Sequence, residues 1–413
     1  MGLIQNLKAV VRFEKFETDP VARRLAHTAS IDDLRAVARR RLPRGVFDYV
    51  DGGAEDERTL AANRAAFAQA VYRPRVLRNI NSVDISSTLF DAPMAYPLAL
   101  APTGFTRIVH PDGELAVARA AAAAGLPYSL STLSTCSIEE VRAVSDGRLW
   151  FQVYAWRDRG LVKELVDRSK EARYEALVLT VDTAVLGRRE RDVRRGFALP
   201  PRLGPSTFVD GALHPQWTWS FLKGDPIRFA NVVGREGRDV GDAASPVVIS
   251  EYISTQFDPA LSWSDVEWLQ GIWSGPIVLK GVQSVEDAKT AADLGVTAVA
   301  LSNHGGRQLD GSPAPFSLVA PVRDAVGDRT ALICDGGIRR GSDIVKAVAA
   351  GADACMAGRA YLYALAAGAE RGVDLLLTWF ANDMVRTMTL LGVPDVAGLD
   401  RSILATNPAL GLS

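Results

Sequence analysis

A histidine and an arginine lie three residues apart in the segment ALSNHGGRQLDG, residues 300–311, directly after an apolar run. His304 is one of only four histidines in the chain, and two glycines separate it from Arg307. Because histidine titrates near neutral pH, His304 is the strongest candidate for a general base. A structural histidine is the common alternative, but a charged neighbour in the same loop favours a catalytic role.

Asp182 and Lys280 also lie at the ends of apolar runs. Asp182 could orient the ring of His304 and stabilise its protonated form. The local sequence leaves two roles open for Lys280: a Schiff-base nucleophile, or a cation that stabilises negative charge on a cofactor ring. No serine or cysteine nucleophile stands in a recognisable setting, and the histidines are too dispersed to predict a metal site.

Two glycine-rich segments that contain arginine, DGGIRRG at 335–341 and AGRA at 357–360, complete the set of chemical candidates. Glycines allow backbone N–H groups to approach an anion, and arginine adds positive charge. A plain glycine turn is the alternative for either segment alone. Because both segments combine glycine with arginine, we predict that together they bind a phosphate group.

Eight short apolar runs predict the elements that position these residues, as buried parallel strands. Helical patterns precede most of the runs, and several of them end in glycine, a helix stop signal. This alternation predicts an α/β fold, a (β/α)8 TIM barrel. A doubly wound sheet is the alternative, but no GxGxxG motif follows the first run. The runs begin near residues 97, 126, 149, 176, 276, 297, 331 and 354.

The spacing of the runs also divides the chain. We predict a mostly helical N-terminal segment at 1–95 that packs on a barrel at 96–400, followed by a C-terminal tail at 401–413. About 95 residues separate the fourth run from the fifth. The barrel therefore contains an insertion at about 190–258, at the end of the barrel where active sites form.

The carboxyl ends of barrel strands converge on one face, and active sites form there. Polar and cationic residues repeatedly occupy these positions in this chain, which predicts an active site at that face. The positions are Thr103, Gln152, Tyr154, Thr180, Asp182, Lys280, Ser302, His304, Arg307 and Asp335.

The overall composition excludes several classes of protein. The 413 residues are 48% hydrophobic with a formal net charge of −1, so nothing predicts nonspecific binding to nucleic acid. The three cysteines predict neither a disulfide framework nor a zinc site, and we expect Cys334 and Cys355 in the core. Without a membrane-span pattern or a signal-peptide pattern, we expect a cytoplasmic protein, with peripheral contact to the inner face of the cell membrane as an extension.

From about residue 30 to 400, the chain resembles the FMN-dependent α-hydroxy acid oxidase and dehydrogenase family. SNHGGRQLDG is the specific signature of that family, and six further motifs occur in family order. The resemblance implies a (β/α)8 barrel that binds FMN and oxidises a 2-hydroxy acid. The six motifs are FDYVDGGAEDE, APTGF, LTVDTAVLGRRERDVRRGF, LKGV, DGGIRRGSD and AGRAYLY.

The resemblance assigns the residues that would act on the substrate. His304 matches the catalytic base, Asp182 its carboxylate partner, and Tyr154 the tyrosine near the hydroxyl-bearing carbon. Arg189 and Arg307 match the arginines that bind the substrate carboxylate, an assignment that suits the fork geometry of guanidinium. Tyr49 matches a hydroxyl donor to the same carboxylate, and Leu133 lies where the family lines the substrate pocket.

The resemblance also assigns the cofactor site. Lys280 matches a lysine beside the flavin, which favours the cation role over the Schiff base. Residues that match positions around the ring and the ribityl chain are Pro102, Thr103, Gly104, Ser131, Gln152, Thr180 and Ser302. Residues that match the ribityl and phosphate site are Asp335, Gly336, Gly337, Arg339, Gly358 and Arg359.

Two positions depart from the plant-type glycolate oxidases of the family. Leu133 replaces an aromatic residue and should widen the substrate pocket, and Gly104 replaces alanine, as in membrane-linked dehydrogenases. The insertion, with HPQWTWSFL at 214–222, resembles that of bacterial L-lactate dehydrogenases. Its aromatic residues could cover the active site, pack between subunits or contact a membrane, and we favour the first two.

The leading functional hypothesis is an FMN-dependent L-2-hydroxy acid dehydrogenase, with L-lactate as substrate and a quinone or another electron acceptor. An oxidase that uses O2 on a lactate- or mandelate-type acid and forms H2O2 is the alternative within the family. A Schiff-base lyase on the same barrel and a flavin-binding scaffold without turnover are more distant alternatives. Because many relatives are tetramers, we expect a homo-oligomer.

Overall fold

The computed structural model describes residues 17–195, 204–232 and 255–406. Eight parallel strands close into a barrel, beside two small antiparallel pairs. In chain order the strands are β1 (Ala70–Tyr72), β2 (Ser87–Leu89), β3 (Ala92–Met94), β4 (Leu98–Leu100), β5 (Tyr128–Ser131), β6 (Leu149–Tyr154), β7 (Ala176–Thr180), β8 (Ile277–Val282), β9 (Ala298–Ser302), β10 (Ala331–Asp335), β11 (Ala354–Ala357) and β12 (Leu404–Thr406).

The barrel consists of β4 to β11, and β11 pairs with β4 to close it. All eight predicted apolar runs form these strands. The closed barrel confirms the predicted (β/α)8 fold and rules out the doubly wound sheet, which would have two free edges.

Helices surround the barrel and form much of the segment that precedes it. In chain order the described helices are α1 (Pro20–Leu25), α2 (Ile31–Arg41), α3 (Arg44–Asp51), α4 (Arg58–Gln69), α5 (Gly113–Ala123), α6 (Ile138–Ala143), α7 (Arg159–Glu171), α8 (Glu190–Arg195), α9 (Pro205–Leu213), α10 (Pro215–Lys223), α11 (Trp263–Ile272), α12 (Val285–Asp293), α13 (Pro315–Val326), α14 (Gly341–Ala350) and α15 (Arg359–Leu391). A kink interrupts α15 at Gly368 and Ala369.

The strands are apolar on both faces because both faces are buried. Val178 and Val278 belong to a cluster inside the barrel, whereas Leu177 and Leu179 pack in the cluster shared with the surrounding helices. Cys334 and Cys355 lie in the outer cluster, fully buried, as predicted for core residues.

Local sequence signals mark the starts and the ends of helices. The Ser284 side chain accepts a hydrogen bond from the backbone N–H of Asp287 at 3.0 Å and caps α12. Gly295 follows α12 with φ 70°, and Gly351 follows α14 with φ 120°. Both glycines adopt a backbone conformation that side chains disfavour, so each stops its helix before a strand.

The segment before the barrel packs against the C-terminal part of the described chain. β1, in the N-terminal segment, pairs antiparallel with β12. The long α15 packs against α1 and α2 on one side and against α5 and α14 on the other. The segment before the barrel thus lies against the last barrel helix, and it places α3 near the loops that follow the strands.

The insertion after β7 contributes α8, α9 and α10. Its residues 196–203 and 233–254 lie outside the described part of the chain. The indole Nε1 of Trp217 in α10 donates to the carbonyl of Ile108 at 2.8 Å, and its ring stacks on Phe221 at 4.8 Å. These contacts fix α10 against the loop that follows β4.

The outer surface of α9 and α10 is apolar. Phe208 is 80% exposed, Trp219 62% and Leu222 71%. Across the described ranges, no helix has the length and apolarity that a membrane crossing requires. Exposed apolar side chains at this density on two short helices are unusual for a surface that faces only water.

Candidate active site

A cavity of about 560 Å³ lies at the carboxyl ends of the barrel strands, a size typical of ligand sites. Every predicted site residue lines it except Asp182 and Ser302. These two do not line the cavity but form hydrogen bonds with His304, which does. The lining residues among those predicted are Tyr49, Pro102, Thr103, Gly104, Ser131, Leu133, Gln152, Tyr154, Thr180, Arg189, Lys280, His304, Arg307, Asp335, Gly336, Gly337, Arg339, Gly358 and Arg359.

The side chains of His304 and Asp182 are hydrogen-bonded across the ends of β9 and β7, which lie on either side of β8. The ring Nδ1 of His304 lies 2.9 Å from Oδ1 of Asp182, whose side chain is 2% exposed. Burial raises the pKa of Asp182, but the charge and hydrogen bond of His304 outweigh it, so the pKa is lowered overall. An ionised carboxylate fixes the proton on Nδ1 and leaves Nε2 as the nitrogen that can accept a proton.

Gly281, in the LKGV motif, allows Asp182 to reach this position. A Cβ built on Gly281 would lie 2.8 Å from the Cβ and Cγ of Asp182, and Gly281 has φ 112°. The strand also shifts register at this residue, between Lys280 and Val282. The local sequence around the LKGV motif carries no sign of this role, because the close contact is with another strand.

Lys280 forms a buried triangle with Asp335 and Ser302. Its Nζ lies 2.9 Å from Oδ2 of Asp335 and donates to Ser302 Oγ at 3.0 Å, and Ser302 donates to Asp335 at 2.7 Å. Burial lowers the pKa of Lys280, but the charges of Asp335 and Asp182 raise it overall. A Schiff-base nucleophile must be a neutral amine, so this cationic lysine disfavours the lyase hypothesis.

Arg307, Arg189 and Tyr49 form a cationic wall of the cavity. Both guanidinium carbons lie over the ring of Tyr49, at 5.2 Å for Arg307 and 5.3 Å for Arg189. Arg189 also pairs with Asp192 at 2.9 Å, a cavity residue that the sequence analysis missed. Burial, followed by the charge of Arg189, lowers the pKa of Arg307 to about 9, so an anion placed here would be strongly stabilised.

The hydrogen bonds of Arg307 leave one edge of its guanidinium for a ligand. Nη1 donates to the carbonyls of Tyr49 at 2.7 Å and Gly52 at 3.1 Å. These two are the hydrogen bonds that the guanidinium of Arg307 makes to the described residues. Nε and Nη2 form the edge that binds a carboxylate with two parallel hydrogen bonds.

Arg359 also lines the cavity and is likewise bound to neutral groups. It donates to the carbonyls of Val50 at 3.1 Å, Gly305 at 2.8 Å and Gly52 at 2.8 Å. Burial lowers its pKa. A buried guanidinium that is held by carbonyls has its charge available for an anionic ligand.

The glycine-rich segments beside Arg359 approach other backbone closely. Gly336 and Gly337 have φ 131° and 85°, and a Cβ on Gly337 would lie 2.1 Å from the carbonyl oxygen of Asn63. Asn63 in turn exchanges two amide hydrogen bonds with Asn303, at 2.8 and 2.7 Å. Asn63, which was not predicted as a site residue, thus fastens α4 to both loops, a role of which its local sequence carries no signal.

Neutral polar groups line the middle of the cavity. Gln152 donates from Nε2 to Thr180 Oγ1 at 3.0 Å and accepts from Ser131 Oγ at 3.1 Å. The hydroxyls of Thr103 and Tyr361 lie 2.5 Å apart, and Tyr361 was not predicted. In the described parts of the chain, no cluster of three histidine, cysteine or acidic residues could hold a metal ion.

One wall of the cavity is apolar. Leu133 lies beside Gly104, where an added Cβ would be 3.1 Å from the Cβ and the carbonyl oxygen of Leu133. Phe257 packs edge-on against Tyr154 at 5.2 Å, and Phe229 also lines the cavity. Both phenylalanines lie outside the strand ends, which is why the sequence analysis did not find them.

Comparison with known proteins places this site in a family. A family model described as FMN-dependent dehydrogenase matches residues 38–406. The L-lactate dehydrogenase of Caulobacter vibrioides is 45% identical over 378 residues, which cover 91% of this chain and 97% of the relative.

Solved structures resemble the chain over a similar length. A crystal structure of (S)-mandelate dehydrogenase, described as a monotopic membrane protein, is 38% identical with a TM-score of 0.88, and the match covers 92% of this chain and all of that one. A crystal structure of mandelate oxidase is 38% identical with a TM-score of 0.78, over 92% of this chain and 98% of the other.

The cavity suits the cofactor that the family name specifies. Arg339 and Arg359 line it together with glycines whose backbone can approach a phosphate, Gln152 offers an amide for a polar ring edge, and Lys280 supplies a buried cation. The extent of the family match and the high identity of the relatives agree with this donor set. The chain belongs to the FMN-dependent dehydrogenase family.

Proposed function

We propose that the protein oxidises an L-2-hydroxy acid, with L-lactate as the expected substrate, to the 2-oxo acid and passes the electrons through FMN to an acceptor. The observation that carries the proposal is that the His304–Asp182 pair and the open edge of Arg307 share one cavity. A base and a carboxylate anchor are what this oxidation requires of the protein. The names of the Caulobacter relative and of the mandelate dehydrogenase belong to the same reaction class.

The cationic wall binds the substrate carboxylate in this proposal. Arg307 donates through Nε and Nη2, and Arg189 adds a second positive charge. A guanidinium fork fixes the plane of a carboxylate as well as its position, so the α-carbon has one orientation in the cavity. Both guanidiniums pack on the ring of Tyr49, which restricts their rotation.

His304 accepts the proton that the substrate loses. Nε2 is the basic nitrogen, and Asp182 stabilises the imidazolium that forms. Burial raises the pKa of Tyr154, so its hydroxyl stays protonated and can donate a hydrogen bond to the substrate oxygen. Leu133, Phe229 and Phe257 exclude water beside the substrate side chain.

The remaining site residues hold the cofactor. Arg339, Arg359 and the backbone at Gly336–Gly337 bind the phosphate, and Lys280 places positive charge in the cavity for the reduced state. Bound FMN supplies the two-electron acceptor chemistry. Gln152 and Thr180 offer hydrogen bonds to its polar edge through one connected network.

The proposed final acceptor is a quinone. The protein is proposed to act at the inner face of the cell membrane, and its proposed assembly is a homo-oligomer, most simply a tetramer. The sequence favoured active-site cover or subunit packing for the aromatic residues of the insertion, but the exposure of Phe208, Trp219 and Leu222 on α9 and α10 favours an apolar surface for peripheral contact with lipid. The relative described as a monotopic membrane protein supports this arrangement.

The base assignment predicts the behaviour of His304→Ala. Under anaerobic conditions L-lactate should bleach the visible flavin absorbance of the wild-type protein. In His304→Ala the rate of bleaching should fall by about 10²–10⁴-fold, because the general base is removed. FMN should remain bound. His27→Ala, the same change at an exposed histidine, is the control, and near-normal bleaching of His304→Ala would refute the assignment.

The carboxylate anchor predicts the behaviour of Arg307→Lys. An ammonium cannot reproduce the two parallel hydrogen bonds of a guanidinium. A hydrogen bond to a charged group contributes about 1.5–3 kcal/mol. We expect kcat/KM to fall by about 10- to 100-fold, with KM raised and kcat lowered together. Arg194→Lys, on the exposed part of α8, is the matched control. Unchanged steady-state constants in Arg307→Lys would show that the carboxylate binds elsewhere.

The acceptor assignment predicts the order of reoxidation rates. Substrate-reduced protein should reoxidise faster with a soluble quinone than with O2 in stopped-flow measurements. Gly104→Ala places a methyl group 3.1 Å from Leu133 and should shift the ratio of the two rates toward O2. Gly271→Ala, where an added Cβ meets no neighbour, should leave the ratio unchanged. A wild-type protein that reacts faster with O2 is an oxidase.

The membrane assignment predicts binding to vesicles. The protein should co-sediment with vesicles of anionic phospholipid, and Phe208→Ser with Leu222→Ser should reduce the bound fraction by about tenfold, since each change removes an exposed apolar side chain. Leu77→Ser with Leu390→Ser, which removes two strongly exposed leucines outside α9 and α10, is the control. Equal binding of both double variants would locate the membrane contact outside α9 and α10.

A further inference from the structure

The carboxyl end of α3 binds both buried guanidiniums of the cavity. Arg307 donates to the carbonyls of Tyr49 and Gly52, and Arg359 donates to those of Val50 and Gly52. The last carbonyls of a helix have no partner within the helix and carry partial negative charge. They therefore attract cations without neutralising them.

The carbonyl of Gly52 accepts hydrogen bonds from both guanidiniums. The oxygen of Gly52 accepts from Arg307 Nη1 at 3.1 Å and from Arg359 Nη2 at 2.8 Å. A displacement of this oxygen would therefore move the donors of both guanidiniums. Gly52 and Gly53 also permit close packing, because a Cβ on Gly53 would lie 2.8 Å from the carbonyl oxygen of Gly306.

Asp51 fixes the backbone on which these carbonyls lie. Its buried carboxylate accepts from Arg35 Nε at 2.5 Å and Nη2 at 2.7 Å, from the Tyr363 hydroxyl at 2.7 Å and from Arg191 Nη1 at 3.0 Å. Burial raises the pKa of Asp51, but the hydrogen bonds from Arg35 and Tyr363 lower it to about 2. The carboxylate is thus ionised and held from three elements.

Arg191 connects the same segment to the insertion. It lies in α8, binds Asp51 and also pairs with Glu57, whose other carboxylate oxygen accepts from the backbone N–H of Gly53 at 2.9 Å. The neighbouring loop residue Arg188 accepts from the backbone N–H of Glu55 through its carbonyl at 2.9 Å. The backbone from Tyr49 to Glu57 is therefore fastened on both sides of Gly52.

We propose that Asp51 and Arg191 are positioning residues, which hold the Gly52 carbonyl so that one segment orients the guanidiniums of both Arg307 and Arg359. The inference rests on the proposed function, in which Arg307 binds the substrate carboxylate and Arg359 binds the FMN phosphate. Neither Asp51 nor Arg191 lines the part of the site assigned to a ligand, so each acts through the backbone. Loss of either residue should weaken two anion sites at once.

The test is Asp51→Asn, which keeps the size of the side chain and removes its charge. The dissociation constant of FMN from the flavin-free protein, measured by flavin fluorescence, should rise about tenfold, and KM for L-lactate at saturating FMN should rise by a similar factor, with a smaller change in kcat. Asp56→Asn makes the same change in the same segment at an exposed residue and should alter neither constant.

A purely structural role for Asp51 makes a different prediction. In that case the melting temperature would fall, while the dissociation constant of FMN and KM for L-lactate at saturating FMN would stay as in the wild type. This result would overturn the proposal, and so would a change in only one of these two constants. If Asp51→Asn does not fold, Arg191→Gln decides by the same two constants, since Arg191 is partly exposed and its loss is better tolerated.

Failure of the proposed function is distinguishable from failure of this inference. If no 2-hydroxy acid bleaches the wild-type flavin, the substrate assignment is wrong. The dissociation constants of FMN and of oxalate, a carboxylate probe that needs no turnover, still report on Arg359 and Arg307. A rise of both in Asp51→Asn and not in Asp56→Asn supports the positioning role, and a rise of neither refutes it.

Discussion

Buried charge is the constraint on which the active site depends. Moving a charged side chain out of water costs several kcal/mol unless another group compensates it. Lys280 is compensated within the protein by Asp335, whereas Arg307 and Arg359 are held by neutral carbonyls. Lys280 therefore keeps its counter-charge within the protein in every state, whereas the charges of Arg307 and Arg359 must be compensated by anionic ligands. The cavity therefore has two cationic positions that favour anionic ligands.

Close packing of backbone against backbone gives these charges fixed positions. Gly281 lets Asp182 approach the next strand, and Gly337 lets the glycine-rich loop after β10 contact Asn63. Any side chain at either glycine would separate groups that must lie within hydrogen-bond distance. Because a change of about an ångström in the position of a catalytic group strongly reduces the rate, such glycines contribute to chemistry without touching a ligand.

The insertion has a different physical character from the barrel. Its α8 takes part in the ionic contacts around Asp51, while α9 and α10 leave large apolar side chains in water. The same insertion therefore borders the cavity on one side and offers an apolar surface on the other. In an enzyme that transfers electrons to a lipid-soluble quinone, this juxtaposition would keep the site near its acceptor.

The motifs of the sequence indicated the family and the site residues that lie away from the strand ends. The sequence by itself also determined the barrel and the strand-end residues of the cavity, because strand periodicity is local and the carboxyl ends of parallel strands meet by geometry. His304, Lys280 and Arg307 were found for that reason. Only the tertiary structure decided what each charged group is paired with: Lys280 with Asp335, Arg307 with the end of α3, and Asp51 with Arg191. Phe229, Phe257, Asn63 and Gly281 escaped prediction because their roles arise from contacts between segments far apart in the chain. Periodicity carries no record of such contacts, since it reports which face of an element is buried and not what lies against it.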